Sequence, residues 1–175
     1  MVDSKFWAGF TILVIAAIWG VWLAFKEREK RKSNGPKSSM SFREGLNLTG
    51  FPVVTFTNNN RVFNFLLDTG SNVSLIDESV LKQIKYEEAP SEIELYGLDG
   101  IERTSKCIVS YLSYEGYSYK TQFYVTNLSP TFRSIKQEHG VTLHGILGSD
   151  FFKAYRYVLN FDKLIAYSEL ANSKK

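Results

Sequence analysis

Apolar and polar positions fall into two regimes along this chain. From Phe6 to Phe25, FWAGFTILVIAAIWGVWLAF, no side chain carries a charge. Beyond Phe42 the apolar residues come instead in short, β-rich runs divided by turn residues. FPVVTFT and RVFNFLLD flank Asn58, Asn59 and Asn60, which reads as a β-hairpin whose second strand ends at Asp68. TSKCIVSYLSY and YSYKTQFYVTNL flank Glu115-Gly116 and give a longer hairpin rich in Tyr, Val, Ile and Thr. A third hairpin joins YVLNF to LIAYSEL around Asp162-Lys163. Only DESVLKQI and SDFFKAY carry convincing helix signals, each short and each opening at a cap-like Asp or Ser-Asp. No repeat of solenoid or propeller type is present, so the expected fold is a small, closed or sandwiched β structure with one or two short helices.

The first regime has the length of a membrane span. About twenty residues at roughly 1.5 Å each cover roughly 30 Å, and Trp7 and Trp22 sit near the ends, where amphipathic rings prefer the interface. No small-residue cleavage pattern follows before the basic cluster, which argues against a removable signal peptide. Lys5 alone precedes the span, whereas Lys26, Arg28, Lys30, Arg31 and Lys32 follow it. This asymmetry predicts a single-pass protein with its C-terminal domain on the cytoplasmic side. The expected organisation is an N-terminal stub (1–5), a transmembrane helix (6–25), a basic flexible linker (26–41), a β domain (42–170) and a tail (171–175). The linker opens KEREKRKSNGPKSSM, with charge, Ser and Asn-Gly-Pro and no apolar period.

Charge and composition narrow the functional classes. The net charge of +3 is concentrated after the span while the remainder is nearly balanced, so nucleic acid is not an expected partner. The single cysteine, Cys107, cannot form an intrachain disulfide and reads as a small strand residue. His139 and His144 lack a Cys or second His at ligand spacing, so neither a metal nor a cofactor is expected, and both histidines read as surface or loop residues. DTGSNVSLIDES fails as a calcium loop because its sixth position is Val73 and its twelfth is Ser79.

The segment FNFLLDTGSNVSLID, Phe63 to Asp77, sets a carboxylate between apolar residues and a tight turn. A charge there is expensive unless it is satisfied or used. By itself an Asp-x-Gly after a strand also fits a plain Asx-turn. Far downstream comes HGILGSDFF, an apolar pair, a glycine and a short helix. Together, LLDTGS and Ile146-Leu147-Gly148 before a helix resemble the retropepsin-like aspartic proteases, over about Phe42 to Leu170. The resemblance implies a mainly β acid-protease fold. It implies Asp68 as the catalytic carboxylate of an endopeptidase that needs no cofactor, supported by Thr69 across a two-fold axis, by Gly70 through close backbone approach, and by Ser71 bonding the outer carboxylate oxygen. Tyr96, Gly97, Leu98, Asp99 and Gly100 form the candidate flap, although the same residues fit an ordinary β-turn. In such enzymes two aspartates share one proton. This chain offers no second copy of the loop, since GLDGI lacks the Thr and the apolar strand and Asp150 opens a helix. The resemblance therefore implies a homodimer with a polypeptide substrate. The alternative is a tethered module that keeps the fold and grips extended peptides without cutting them.

Overall fold

A computed structural model describes residues 37–96 and 102–171. The apolar segment 6–25, the linker through residue 36, residues 97–100 of the candidate flap and the end of the tail lie outside the described residues. Among the described residues no helix is long and apolar enough to cross a membrane.

The strands are β1 (Ser39–Ser41), β2 (Val53–Asn58), β3 (Arg61–Leu67), β4 (Leu75–Asp77), β5 (Tyr86–Tyr96), β6 (Glu102–Tyr114), β7 (Tyr117–Thr126), β8 (Gly145–Leu147), β9 (Tyr157–Asn160) and β10 (Ile165–Ser168). The helices are α1 (Arg43–Thr49), α2 (Ser129–His139) and α3 (Ser149–Tyr155), with 3-10 turns at Glu78–Lys82 and Glu169–Ala171. Seven strands run in the order β2-β3-β8-β4-β7-β6-β5, and a Thr57–Ser113 pairing joins β2 to β6 and closes six of them on themselves. β1, β10 and β9 make a separate three-stranded sheet.

All three expected hairpins form. Asn59 and Asn60 take positive φ (48° and 62°) between the paired residues Asn58 and Arg61, as a two-residue turn matched to strand twist requires. Glu115 and Gly116 do the same between Tyr114 and Tyr117. Alternation along β3 puts Phe63, Phe65 and Leu67 inside. There they meet Phe56, Ile108, Leu112, Tyr119, Phe123 and Leu147, all fully buried. Phe65 stacks on Phe123 with ring centroids 5.4 Å apart. Cys107 is buried in β6, as a small strand residue should be.

The helices depart from expectation. DESVLKQI is a 3-10 turn rather than an α-helix: the amides of Gln83 and Ile84 both fold back on the Val80 carbonyl, and Val80 is the turn's one buried residue. Ile84, just past the turn, is buried as well, so both apolar anchors of the stretch reach the core from a single tight turn. Two further helices, α1 and α2, were not anticipated. α2 buries only Phe132 and Ile135, and α1 only Thr49, too few for a helical period to show. Each ends at a left-handed glycine, Gly50 (φ 74°) and Gly140 (φ 70°), whose N–H closes on the helix behind it. Ordered structure also reaches into the segment expected to be linker. The Lys37 N–H donates to the Tyr119 hydroxyl (2.9 Å), the Tyr157 hydroxyl donates to the Lys37 carbonyl (2.7 Å), and β1 pairs with β10.

Candidate active site

The loop at Asp68 is fixed from both sides. The Leu67 N–H donates to the Pro52 carbonyl (2.9 Å), extending the β2–β3 ladder, and the Asp68 N–H donates to the Leu147 carbonyl (3.0 Å), extending the parallel β3–β8 ladder. Asp68 therefore continues the strand alternation, on the face opposite the buried Leu67. The chain then turns sharply, with the Gly70 N–H donating to Asp68 Oδ1 (2.8 Å) and the Ser71 N–H to the Asp68 carbonyl (3.3 Å). A Cβ on Gly70 would sit 3.1 Å from Oδ1, a tight contact that would press on this bond. This is the Asx-turn the sequence allowed. It occupies one carboxylate oxygen and leaves the other without a hydrogen-bond partner among the described residues. Asp68 is half-buried, while Thr69 and Gly70 are exposed.

Underneath lies the second motif. Ile146 and Leu147 are buried in β8, which lies between β3 and β4 in the sheet. At Gly148 the backbone passes so close that an added Cβ would stand 2.4 Å from the Val73 carbonyl oxygen. Ser149 then ties the loop down, its N–H donating to the Ser71 carbonyl (2.8 Å) and its hydroxyl to the Thr69 carbonyl (2.9 Å). The sequence pointed to these residues, but one expected contact differs. The Ser71 hydroxyl donates to the Val73 carbonyl (2.7 Å) rather than to the Asp68 carboxylate.

The structure adds a brace that the sequence did not reveal. Both Asp150 oxygens hold the fully buried Ser74, accepting from its N–H (3.0 Å) and its hydroxyl (2.7 Å), and that hydroxyl in turn accepts from the Gly148 N–H (3.1 Å). Asp150 opens α3 as expected, and this employment removes it as a partner for Asp68. The one sequence signal for the brace was an acidic residue in the first turn after Gly148.

Asp77, at the far end of β4, is a fully buried carboxylate. It accepts from the Ser79 N–H (3.0 Å) and hydroxyl, the Leu128 N–H (2.8 Å) and the Ser129 hydroxyl (3.3 Å). Burial alone would push this carboxyl up. The hydrogen bonds outweigh it and hold Asp77 below the ordinary 3.8. A depressed carboxylate stabilises the fold above its unfolded pKa, and that stabilisation is lost as pH falls through the folded value. Asp77→Asn is expected to cost about 1–2 kcal/mol at neutral pH and to flatten the fall of stability below about pH 4, as thermal melts across pH would show. An unchanged acid limb would remove Asp77 from that role.

Close by, His144 is half-buried rather than a surface residue, and its Nδ1 accepts from the Asn64 N–H (2.9 Å). Burial pushes its pKa down, which keeps the ring neutral. His139 is exposed at the end of α2. A cavity of about 620 Å³ opens between the 3-10 turn and α2, lined by Asp77, Phe132, Arg133 and Lys136 among others. It does not include the Asp68 loop, and its one buried acid is already satisfied. Among the described residues no group of three or more His, Cys, Asp or Glu could hold a metal.

A family model described as aspartyl protease matches residues 54–151, more than half of the chain and a span that includes both Asp68 and Gly148. Among solved structures, EIAV protease in complex with the inhibitor HBY-793 is similar at 21% identity, covering 62% of this chain and 90% of its own, with a TM-score of 0.45. No match is found among the curated proteins.

Proposed function

Because the chain belongs to the aspartyl protease family, we propose that it is an aspartic endopeptidase held at a membrane and active as a homodimer. Asp68 and Asp68 of the partner subunit form its catalytic dyad. The observation that carries this reading is the setting of Asp68: its N–H is bonded to the Leu147 carbonyl, the Leu67 N–H before it to the Pro52 carbonyl, one carboxylate oxygen accepts from Gly70, and the other has no hydrogen-bond partner among the described residues. Among the described residues Asp150 is bonded to Ser74 and Asp77 lies at the far end of β4, so neither is offered as its partner. In this reading the second carboxylate comes from a second chain related by a two-fold axis.

Two such groups brought close cannot both ionise cheaply, so they share a proton. The ionised aspartate takes a proton from water as the oxygen attacks the scissile carbonyl, while the protonated one donates to the carbonyl oxygen. The dyad then returns a proton to the leaving amine as the C–N bond breaks. The Thr69 side chain, exposed in the single chain, faces the opposing loop across the two-fold axis. Tyr96, Gly97, Leu98, Asp99 and Gly100 serve as the flap over an extended peptide substrate.

Residues 6–25 span the membrane, and the basic residues that follow hold the protease domain on the cytoplasmic side. Confinement to the bilayer raises the encounter concentration of the chains and favours a dimer that is weak in solution. The test is cleavage of a diverse peptide mixture by the 175-residue chain in detergent, from about pH 4 to about pH 7, beside its Asp68→Asn variant. Cuts that require Asp68 support the enzyme. A folded dimer that binds peptides and leaves them whole supports the non-cutting module instead.

A further inference from the structure

The seam between β3 and β8, which carries Asp68 at one end, is closed at the other end by a side chain. Its backbone register runs from Phe65–Gly145 to Leu67–Leu147, and the Asp68 N–H then donates to the Leu147 carbonyl. One residue before the first pair, the Asn64 N–H donates to His144 Nδ1 (2.9 Å) and the His144 N–H donates to the Asn64 carbonyl (2.9 Å). The imidazole thus does the work of a backbone acceptor. Three more bonds tie the same place: Asn64 Nδ2 to the Thr142 carbonyl (3.0 Å), Thr55 Oγ1 to Asn64 Oδ1 (2.9 Å), and the Asp77 N–H to the His144 carbonyl (3.0 Å). The ring also meets Phe63 edge to face, with centroids 5.3 Å apart.

A backbone N–H can only donate, so Nδ1 presents its lone pair and the neutral ring carries its proton on Nε2. An imidazolium carries protons on both nitrogens, and its Nδ1–H would face the Asn64 N–H head to head. Burial pushes the ring below the ordinary 6.5, while the charge of Asp77 on β4 pulls the other way. β3 meets the ring with the uncharged Asn64 and Phe63, and Arg133 and Lys136 of α2 border the cavity that Asp77 also lines. We propose that His144 is a positioning residue for the Asp68 loop: its neutral imidazole closes the start of the β3–β8 seam, and its protonation opens that seam and lowers the fraction of chains whose loop is set for catalysis. The inference rests on the reading of Asp68 as catalytic. Because the fold favours the neutral ring, this contribution is whole above the ordinary 6.5 and is lost as pH falls from there through the folded value.

The test follows kcat/KM on one peptide for the full chain in detergent, for His144→Asn and for His144→Leu, between about pH 7 and about pH 5. Asn keeps a side-chain oxygen close to the position of Nδ1 and does not titrate, whereas Leu leaves the Asn64 N–H unpaired at every pH. The ratio of His144→Asn to wild-type kcat/KM, in which the dyad's own titration cancels, is expected to rise at least about threefold across that range. His144→Leu should be slower than His144→Asn throughout, by about tenfold. A ratio that stays constant with pH overturns the inference, and so does a His144→Leu chain as fast as His144→Asn. If the wild-type chain cuts nothing, the enzyme reading fails separately, and hydrogen exchange over the segment from Asn64 to Asp68, corrected for the intrinsic effect of pH, decides the inference. Protection lost on acidification by the wild type and kept by His144→Asn supports it. Equal loss in both overturns it.

Discussion

Asp68→Asn is expected to lower peptide hydrolysis by at least about a thousandfold while leaving the fold intact. Proton transfer by a positioned carboxylate contributes roughly two to four orders of magnitude, and an amide can neither take a proton from water nor return one to the leaving amine. The substitution is close to isosteric. The Asn side-chain oxygen can still accept from the Gly70 N–H, the one hydrogen bond that Oδ1 makes among the described residues. Thermal stability should therefore stay within about 2 °C of the parent, which separates lost chemistry from lost structure. Initial rates on a peptide cut by the wild-type chain, with melting curves for both proteins, decide the matter. A variant that retains more than about a tenth of the rate would show that another group does the acid–base work.

Gly148→Ala is expected to have the largest effect on the fold. The backbone at Gly148 is extended (φ −88°, ψ −172°), so the cost is steric rather than conformational. The new methyl would stand 2.4 Å from the Val73 carbonyl oxygen, 2.6 Å from its carbon and 2.9 Å from the Ser71 carbonyl oxygen. These are backbone atoms, without a flexible tail that could swing away, and Ser71 is itself bonded to Ser149. Separating the two segments would also strain the Gly148 bond to Ser74 and the Ser74 bonds to Asp150. We expect about 3 kcal/mol of destabilisation, or a Tm lower by roughly 10 °C, with cleavage impaired even where the variant remains folded. Gly140→Ala is the control. It has open space around it but a left-handed backbone (φ 70°), so it should cost only about 1 kcal/mol. Equal melting of Gly148→Ala and wild type would mean that the two loops are not packed as described.

What the sequence disclosed and what it hid follow a physical division. Local patterns were legible. The Asn58-Asn59-Asn60 and Glu115-Gly116 turns announce their hairpins because their residues tolerate positive φ, and alternation along RVFNFLLD marks which face is buried. The Asp68 loop was legible because an acid after two leucines and before Thr-Gly is improbable without a use. Elements governed by distant partners were not. Ser74 and Asp150 are separated by 76 residues, and no local pattern announces that one holds the other. α2 presents two buried apolar residues on an otherwise polar stretch and is recognisable only once the sheet it covers is known. Asp77 looked like a helix cap, and it does accept from Ser79, but its bonds to Leu128 and Ser129 make it a clamp between β4 and the start of α2. The Ser71 hydroxyl was expected on the carboxylate and instead closes its own loop at Val73.

The central claim, that one active site is built from two chains, is tested most directly by mixing. Wild-type and Asp68→Asn chains are co-expressed or allowed to exchange at fixed total concentration, and initial rates are followed against the wild-type fraction. If both carboxylates are required, only dimers of two wild-type chains cut, and activity falls as the square of that fraction, to about a quarter in an equal mixture. A linear fall, to about half, would show that each chain carries a complete site and would contradict the shared dyad.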